Sequence, residues 1–160
     1  MSVELIPAAL VHTELLAGMH KICFAEAWNA QSMAALLEMP GAAGLIAVDG
    51  GSLMPALEAP GPAGFVLWRA AAGEAEILTI AVLPPWRKRG LGGRLLDAAL
   101  AASARTGAEA MFLEAAADNN AALALYHARG FERVGLRKGY YAGKDAVVMK
   151  RALETNSPYE

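Results

Sequence analysis

A glycine-rich, cationic corner is the part of this sequence whose residue types best suit chemistry. It lies in IAVLPPWRKRGLGGRLLDAALAASA, residues 80–104, where a β-branched run ends at two prolines and a helical pattern follows. The first turn of a helix leaves four N–H groups without partners and carries the positive end of the helix dipole. Because glycines let these groups approach a ligand closely, the corner predicts an anion site that best suits phosphate. The glycines are Gly90, Gly92 and Gly93, and the neighbouring cations are Arg87, Lys88, Arg89 and Arg94.

The corner has a simpler alternative interpretation as a basic helix cap loosened by glycine, because glycine-rich turns alone are weak evidence for phosphate binding. The sequence has no G-x-x-x-x-G-K-[ST] loop, and its first β-α turn lacks G-x-G-x-x-G with a following acidic residue. The pattern R-x-x-G-x-G does occur, as Arg87–Gly92, directly after the strand end IAV.

Composition and length limit the classes of protein to consider. The 160 residues are 56% hydrophobic and 19% charged, which predicts one globular domain over 1–153, with a polar tail at 154–160. The net charge of −2 disfavours nucleic acid as a partner, including an RNA-binding module built on Arg87–Arg94. No apolar run has the roughly 18 residues of a membrane span. Since Glu4 also stands where a secretion signal has a cation, we expect a cytoplasmic protein.

Cysteine and histidine give no pattern typical of a disulfide or a metal site. The only cysteine is Cys23, which we expect to be a small buried apolar group. The histidines His12, His20 and His127 have no ligand spacing and are expected to be structural or exposed.

Apolar periodicity and turn residues predict an alternation of strands and helices. Strands are predicted at 3–8, 44–50, 63–70, 74–83, 110–117, 131–141 and 145–153. Helices are predicted at 8–24, 29–39, 91–106 and 119–130, with Asn29 as an N-cap and Gly130 at a C′ position. The predicted apolar face of the first helix is Leu10, Leu15, Met19, Ile22 and Cys23. This order favours an α/β fold with a mixed sheet and a Gly/Pro-rich connection at 50–62.

Two blocks of the sequence together resemble the GNAT family of acetyl-CoA-dependent N-acyltransferases. TIAVLPPWRKRGLGGRLL is similar to that family's pyrophosphate-binding motif, [RQ]-x-x-G-x-[GA]. FLEAAADNNAALALYHARGF is similar to its downstream N-x-x-A-x-x-L-Y-x-x-x-G-F helix. The resemblance covers most of the chain and implies the GNAT acyl-CoA N-acyltransferase fold, a mixed central sheet of about seven strands flanked by about four helices.

The resemblance implies acetyl-CoA as the co-substrate and no metal. The strand end Ile80, Ala81 and Val82 would pair its backbone with the pantetheine arm, and the Val82 N–H would face the carbonyl oxygen as charge develops there. Main-chain N–H groups would surround the pyrophosphate at Lys88, Arg89, Gly90, Leu91, Gly92 and Gly93. Asn119 would contact the cofactor, or it only caps the helix that follows.

Three stretches narrow the resemblance to the RimI-type subgroup, which acetylates the N-terminal alanine of small-subunit ribosomal protein eighteen: HKICFAEAWNAQSM, FLEAAADN and LRKGYYAGKDAVVMKRAL. This implies a protein N-terminus as the acceptor and direct transfer in a ternary complex. Glu114 would accept the amine proton, and Tyr126 would donate a proton to the departing sulfur. Without the resemblance, Glu114 would be interpreted as a solvated carboxylate and Tyr126 as an aromatic residue that packs on the sheet.

The acceptor itself stays open at the level of sequence. Trp28, Tyr140 and Tyr141 would border the peptide groove, or they pack on the sheet. The subgroup often has an arginine two residues after the glutamate, where this chain has Ala116. A lysine or a small-molecule amine is the alternative acceptor. Outside enzymes, the alternative is a domain that binds acetyl-CoA as a sensor or scaffold, against which the presence of both Glu114 and Tyr126 argues.

Overall fold

The computed structural model describes residues 2–50, 61–141 and 143–154, without the side chains of Tyr140 and Tyr141. Its strands are β1 Val3–Pro7, β2 Ala42–Asp49, β3 Pro62–Ala71, β4 Glu74–Val82, β5 Ala110–Ala116, β6 Glu132–Tyr141 and β7 Lys144–Ala152. Its α-helices are α1 Thr13–Cys23, α2 Ala30–Glu38, α3 Leu91–Arg105 and α4 Asn120–Ala128. Short 3₁₀ turns precede α1 at Leu10–His12 and follow β4 at Pro84–Trp86. Most of the predicted 50–62 connection and of the 154–160 tail lies outside the described residues.

The strands form a mixed sheet in the order β1-β2-β3-β4-β5-β7-β6. Antiparallel pairing joins β1 to β2, β2 to β3, β5 to β7 and β6 to β7, whereas β4 and β5 are parallel. Seven strands and four α-helices in the described residues confirm the predicted mixed α/β fold. The order also shows that β7 lies between β5 and β6, which chain order alone does not reveal.

The chain divides into two compact units, and the boundaries fall within β3, β4 and α3. The first unit comprises Met1–Arg69 and Leu78–Ala99, and the second comprises Ala70–Ile77 and Leu100–Glu160. The single domain over 1–153 therefore stays a prediction. In the first unit, β3 is buried almost continuously, which is typical of a strand covered on both faces. The buried core of this unit consists of Leu16, Met19, Met33, Ile46, Val48, Phe65, Leu67 and Leu83.

The predicted helix at 8–24 begins later than expected. Residues Leu10–His12 form a 3₁₀ turn, and the His12 Nδ1 accepts a hydrogen bond from the Ala9 N–H at 2.9 Å. The α-helix therefore starts only at Thr13. Local ring-to-backbone bonding of this kind competes with continuous helix and was not visible in the apolar spacing.

The predicted apolar face of α1 is accordingly wrong in part. Leu10 and Ile22 are 51% and 62% exposed, and Cys23 is only half-buried. The inward-facing stripe is Leu16, Met19 and His20. Because one buried position is a histidine, counting apolar residues alone misplaced the stripe.

In the second unit, β5 alternates between a buried and a less buried face from Met111 onward. Met111, Leu113 and Ala115 are buried, whereas Phe112, Glu114 and Ala116 are half-buried. Since successive strand residues point to opposite faces, the last three share one side of the sheet. Antiparallel pairing with β7 places Glu114 opposite Val148 and Ala116 opposite Ala146.

Local sequence rules hold at several element ends. Asn29 caps α2, since its Oδ1 accepts the Ser32 N–H at 2.8 Å. The turn between β3 and β4 has positive φ at Ala72 and Gly73, 54° and 81°, as a type I′ hairpin turn requires. The apolar face of α3 is buried, and it consists of Leu91, Leu95, Leu96, Ala99 and Leu100.

Candidate active site

The corner before α3 has the backbone of an anion-binding loop. Lys88 and Gly90 both adopt left-handed conformations, with φ of 64° and 78°. A left-handed lysine costs about 1–2 kcal/mol, and strain of this kind is typical of ligand sites. Turns with left-handed residues direct successive N–H groups to one side and bind anions, and α3 begins at Leu91 with its positive end here. The loop therefore fits the diphosphate of coenzyme A.

Two arginine side chains of the corner donate hydrogen bonds to backbone carbonyls. The Arg87 Nε donates to the Val82 carbonyl at 2.8 Å, and the Arg94 Nη2 donates to the Val3 carbonyl at 3.1 Å. These contacts tie the loop to the end of β4 and the start of α3 to β1. Arg87 and Arg94 thus hold the corner in shape, while Lys88 and Arg89 are exposed.

The second feature of the site is the end of β4, where one edge of the strand backbone is open. In the described chain, parallel pairing of β4 stops at Glu76, so one edge of Leu78–Val82 lacks a strand partner. On the β3 side, a Cβ placed on Gly64 would lie 2.6 Å from the Ala81 oxygen and 3.2 Å from the Val82 Cα. Only glycine allows this approach. An unpaired strand edge can bind an extended ligand through main-chain hydrogen bonds, which fits the pantetheine arm predicted for Ile80, Ala81 and Val82.

His20 organises the loop between α1 and α2. Its ring stacks on Phe24 and Trp28, with centroids 4.1 Å and 4.8 Å away, and its Nδ1 accepts the Trp28 N–H at 3.1 Å. Burial lowers the pKa of His20, so the imidazole stays neutral with Nδ1 as the acceptor. His20 is structural, as predicted, and it holds Trp28, a residue that remains 37% exposed.

Glu114 is the half-buried carboxylate of β5, and it forms an ion pair that the sequence did not predict. The Arg137 Nε lies 3.0 Å from the Glu114 Oε1. Arg137 belongs to β6, which is separated from β5 by β7. The carboxylate therefore has a guanidinium partner, whereas its role as a proton acceptor stays a prediction.

Tyr126 is buried at the end of α4, and its position follows from the way this helix ends. Gly130 occupies the predicted C′ position with φ 86°. The Phe131 N–H donates to the Tyr126 carbonyl and the Gly130 N–H to the His127 carbonyl, both at 3.0 Å, which is a Schellman motif. The Tyr126 and Phe131 rings meet edge to face at 6.1 Å. The predicted packing role of Tyr126 is confirmed, whereas its role as proton donor stays a prediction.

Asn119 caps α4. Its Oδ1 accepts the Ala122 N–H at 3.2 Å, which confirms the structural role predicted for it. Asp118, in the turn before α4, forms an ion pair with Lys144 of β7, whose Nζ lies 2.7 Å from the Asp118 Oδ2. This hydrogen bond lowers the pKa of Asp118 and raises the pKa of Lys144. The cofactor contact of Asn119 stays a prediction.

Other predicted features are either untested or outside the described residues. The side chains of Tyr140 and Tyr141 lie outside this description. Across the described ranges, His, Cys, Asp and Glu side chains form no cluster of three that could hold a metal ion. No helix there combines the length and apolar character that a bilayer span requires.

A comparison with protein families shows which family this chain belongs to. Residues 14–131, more than half of the chain, match the model of the acetyltransferase (GNAT) family. The chain belongs to the GNAT acetyltransferase family. Family membership agrees with the mixed α/β fold.

Individual relatives agree with this assignment. The chain is 50% identical over 80 residues to the N-alpha-acetyltransferase RimI of Mycobacterium tuberculosis, a match that covers 49% of each protein. It is 34% identical over 91 residues to the [ribosomal protein bS18]-alanine N-acetyltransferase of Escherichia coli, covering 54% of this chain and 62% of that protein. The chain thus spans about half to three-fifths of the length of these two curated relatives.

A solved structure supports the fold over the whole chain. The crystal structure of the ribosomal-protein-S18-alanine N-acetyltransferase from Escherichia coli superposes with a TM-score of 0.85 and covers 99% of both chains. At 22% identity this likeness concerns the fold alone.

Arg137 is the residue near the candidate site that sequence reasoning missed. Ala116 signalled that the subgroup's usual arginine is absent, but nothing in the spacing of β6 and β7 indicated which strand could supply another cation. The order β5-β7-β6 provides that information. A search for arginines on the two closing strands would have found the candidate but not its partner.

Proposed function

We propose that this protein is an N-α-acetyltransferase that transfers acetyl from acetyl-CoA to the N-terminal amine of a protein in the cytoplasm. The observation that carries the proposal is the left-handed loop at Lys88 and Gly90, directly before α3 and close in sequence to the open edge of β4. Both features suit coenzyme A, and family membership supports acetyl as the group transferred. The name of the Escherichia coli relative supports the N-terminal alanine of small-subunit ribosomal protein eighteen as the acceptor.

The backbone of the first unit would hold the coenzyme. Main-chain N–H groups of residues 88–93 would bind the diphosphate, and Ile80–Val82 would bind the pantetheine arm along the edge of β4. The Val82 N–H would donate to the thioester oxygen as negative charge develops there. The coenzyme supplies an activated acetyl group, so the protein mainly aligns the reactants, and alignment alone can remove several kcal/mol of the barrier.

Glu114 and Tyr126 would move the protons. Glu114 accepts a proton from the amine, whose nitrogen lone pair forms the new C–N bond with the thioester carbon. Tyr126 donates its proton to the sulfur as the C–S bond breaks. A proton that passes from Glu114 to Tyr126 through solvent restores both groups. Direct transfer of this kind needs no covalent enzyme intermediate.

The chemistry of the acceptor favours an α-amine. A free N-terminal amine has a pKa near 8, whereas a lysine amine has a pKa near 10.4, a difference that corresponds to roughly 3 kcal/mol. The α-amine therefore needs only a modest base, the role assigned to Glu114. Trp28, held by His20, and the residues Tyr140 and Tyr141 would border the bound peptide.

The experiment that tests the function compares acceptors directly. The full chain is incubated with acetyl-CoA and a peptide that begins Ala-Arg, and with the same peptide carrying a blocked N-terminus and one lysine. Polyamines and aminoglycosides serve as small-amine acceptors. Mass spectrometry should locate acetyl on the α-amine only. Transfer to lysine or to a small amine alone would contradict the proposed acceptor, and the absence of any transfer would favour a domain that only binds acetyl-CoA.

Variants test the two assigned roles. Glu114→Gln should lower kcat by roughly 10²-fold or more, as expected for the loss of a general base. Its rate profile should shift to higher pH, because the amine must then lose its proton to solvent. Tyr126→Phe should also lower kcat, with acetyl-CoA affinity retained in both variants. Glu109→Gln, at an exposed residue before β5, is the matched control. Full rates in both site variants would show that the roles are wrong.

A further inference from the structure

The ion pair between Arg137 and Glu114 spans an entire strand. Neighbouring strands lie about 4.8 Å apart, so β5 and β6, on either side of β7, are about 9.6 Å apart. Arg137 nevertheless places its Nε 3.0 Å from the Glu114 Oε1. The side chain must therefore cross β7 to reach the carboxylate.

The register of the strands shows why this crossing is possible. Arg137 pairs with Ala146 of β7, and Ala146 pairs with Ala116 of β5. On β7, the residue that pairs with Arg137 is Ala146, which is completely buried, and the residue opposite Glu114 is Val148. The small side chain of Ala146 leaves room above β7 for the side chain of Arg137. Ala116 lies in the same cross-strand row and is likewise small, and the cation beside Glu114 comes from another strand.

The ion pair between Arg137 and Glu114 is not explained by a contribution to the stability of the fold. The side chains of Arg137 and Glu114 are 56% and 22% exposed. Ion pairs with this access to solvent contribute little to stability, because water and salt screen them and two long side chains lose freedom. The contact between Arg137 and Glu114 is better explained by its effect on the carboxylate.

The geometry points to Arg137 as a positioning residue that holds Glu114 for proton transfer, an inference that rests on the function proposed above. The guanidinium binds Oε1 and fixes the orientation of the carboxyl plane. Proton acceptance is then assigned to Oε2. Arg137 touches neither reactant in this scheme and acts only through Glu114.

The test separates positioning from a merely structural role. Arg137→Met removes the guanidinium but keeps a long side chain, Arg137→Lys keeps the charge, and Arg133→Met removes a cation from an exposed position on the same strand. The double variant Ala116→Arg with Arg137→Met returns a guanidinium to the face of β5 that carries Glu114. For each variant, kcat, KM for the peptide, acetyl-CoA affinity and melting temperature are measured.

Arg137→Met should lower kcat by about tenfold or more, within the contribution of a general base, while both binding constants and the melting temperature stay near wild type. Arg137→Lys and the double variant should recover part of the loss, and Arg133→Met should match wild type. An unchanged kcat in Arg137→Met, or an equal loss in Arg133→Met, would overturn the inference. If Glu114→Gln is still impaired in that case, the proposed function stands without it. Full activity of Glu114→Gln would instead refute the role of Glu114.

Discussion

Gly64→Ala is the substitution that most sharply tests how the end of β4 is built. An alanine Cβ at this position would lie 2.6 Å from the Ala81 oxygen and 3.2 Å from the Val82 Cα. Both neighbours are backbone atoms, so no side-chain rotation relieves the clash. Carbon–oxygen contacts below 3.0 Å are essentially never seen, so β3 and β4 must move apart by at least about 0.4 Å.

The expected cost follows from overpacking in a close-packed interior. Forcing one extra methyl group into such a site costs about 1–3 kcal/mol. For a chain of this size that corresponds to a melting temperature lower by roughly 2–12 °C. Since the displaced atoms belong to the strand end assigned to the pantetheine arm, affinity for acetyl-CoA should fall as well.

A matched glycine substitution separates this effect from a general response to alanine. Gly18 lies within α1, and a Cβ there would meet nothing within 4 Å. Gly18→Ala should therefore stabilise the protein by about 0.5–1 kcal/mol through helix propensity, with acetyl-CoA affinity unchanged. Urea denaturation and calorimetric titration of both variants provide the measurements. Wild-type stability and affinity in Gly64→Ala would refute the account of the β4 end.

Two further predictions concern residues that hold the candidate site. The lowered pKa of His20 stabilises the fold above the ordinary histidine pKa of 6.5, and this stability is lost as pH falls, because the unfolded chain takes up the proton first. Urea denaturation between pH 7.5 and 5 should show a slope of at most about 1.4 kcal/mol per pH unit from this group, reduced in His20→Gln; equal slopes would contradict the assignment. Asn119→Ala should cost about 1 kcal/mol by loss of the cap, whereas Asn119→Ser should keep the cap. A lower acetyl-CoA affinity in Asn119→Ser would reveal the cofactor contact, and unchanged affinity would exclude it.

Much of the fold could be predicted because its signals are local. Asn29 and Asn119 cap helices through their own side chains, and Gly130 ends α4 with the positive φ that favours glycine. The alternation in β5 is equally local, since successive residues must point to opposite faces. Each of these features depends on residues only a few positions apart, so it can be predicted from a single sequence.

The features that sequence missed depend on contacts between distant segments. His20 packs on Phe65 of β3, and this contact with a distant strand explains why a polar residue occupies the inward face of α1. The pairing of Arg137 with Glu114 requires knowing that β7 lies between β5 and β6. Neither contact produces a periodicity or a motif, so sequence reasoning had no signal for it.

Calorimetric titration of the full chain with acetyl-CoA tests the central claim most directly. The account predicts saturable binding at one site, weakened by Gly64→Ala and retained in Glu114→Gln. It predicts this because the loop at Lys88 and Gly90 and the edge of β4 bind the coenzyme through main-chain groups. A folded protein that takes up no acetyl-CoA would contradict the account.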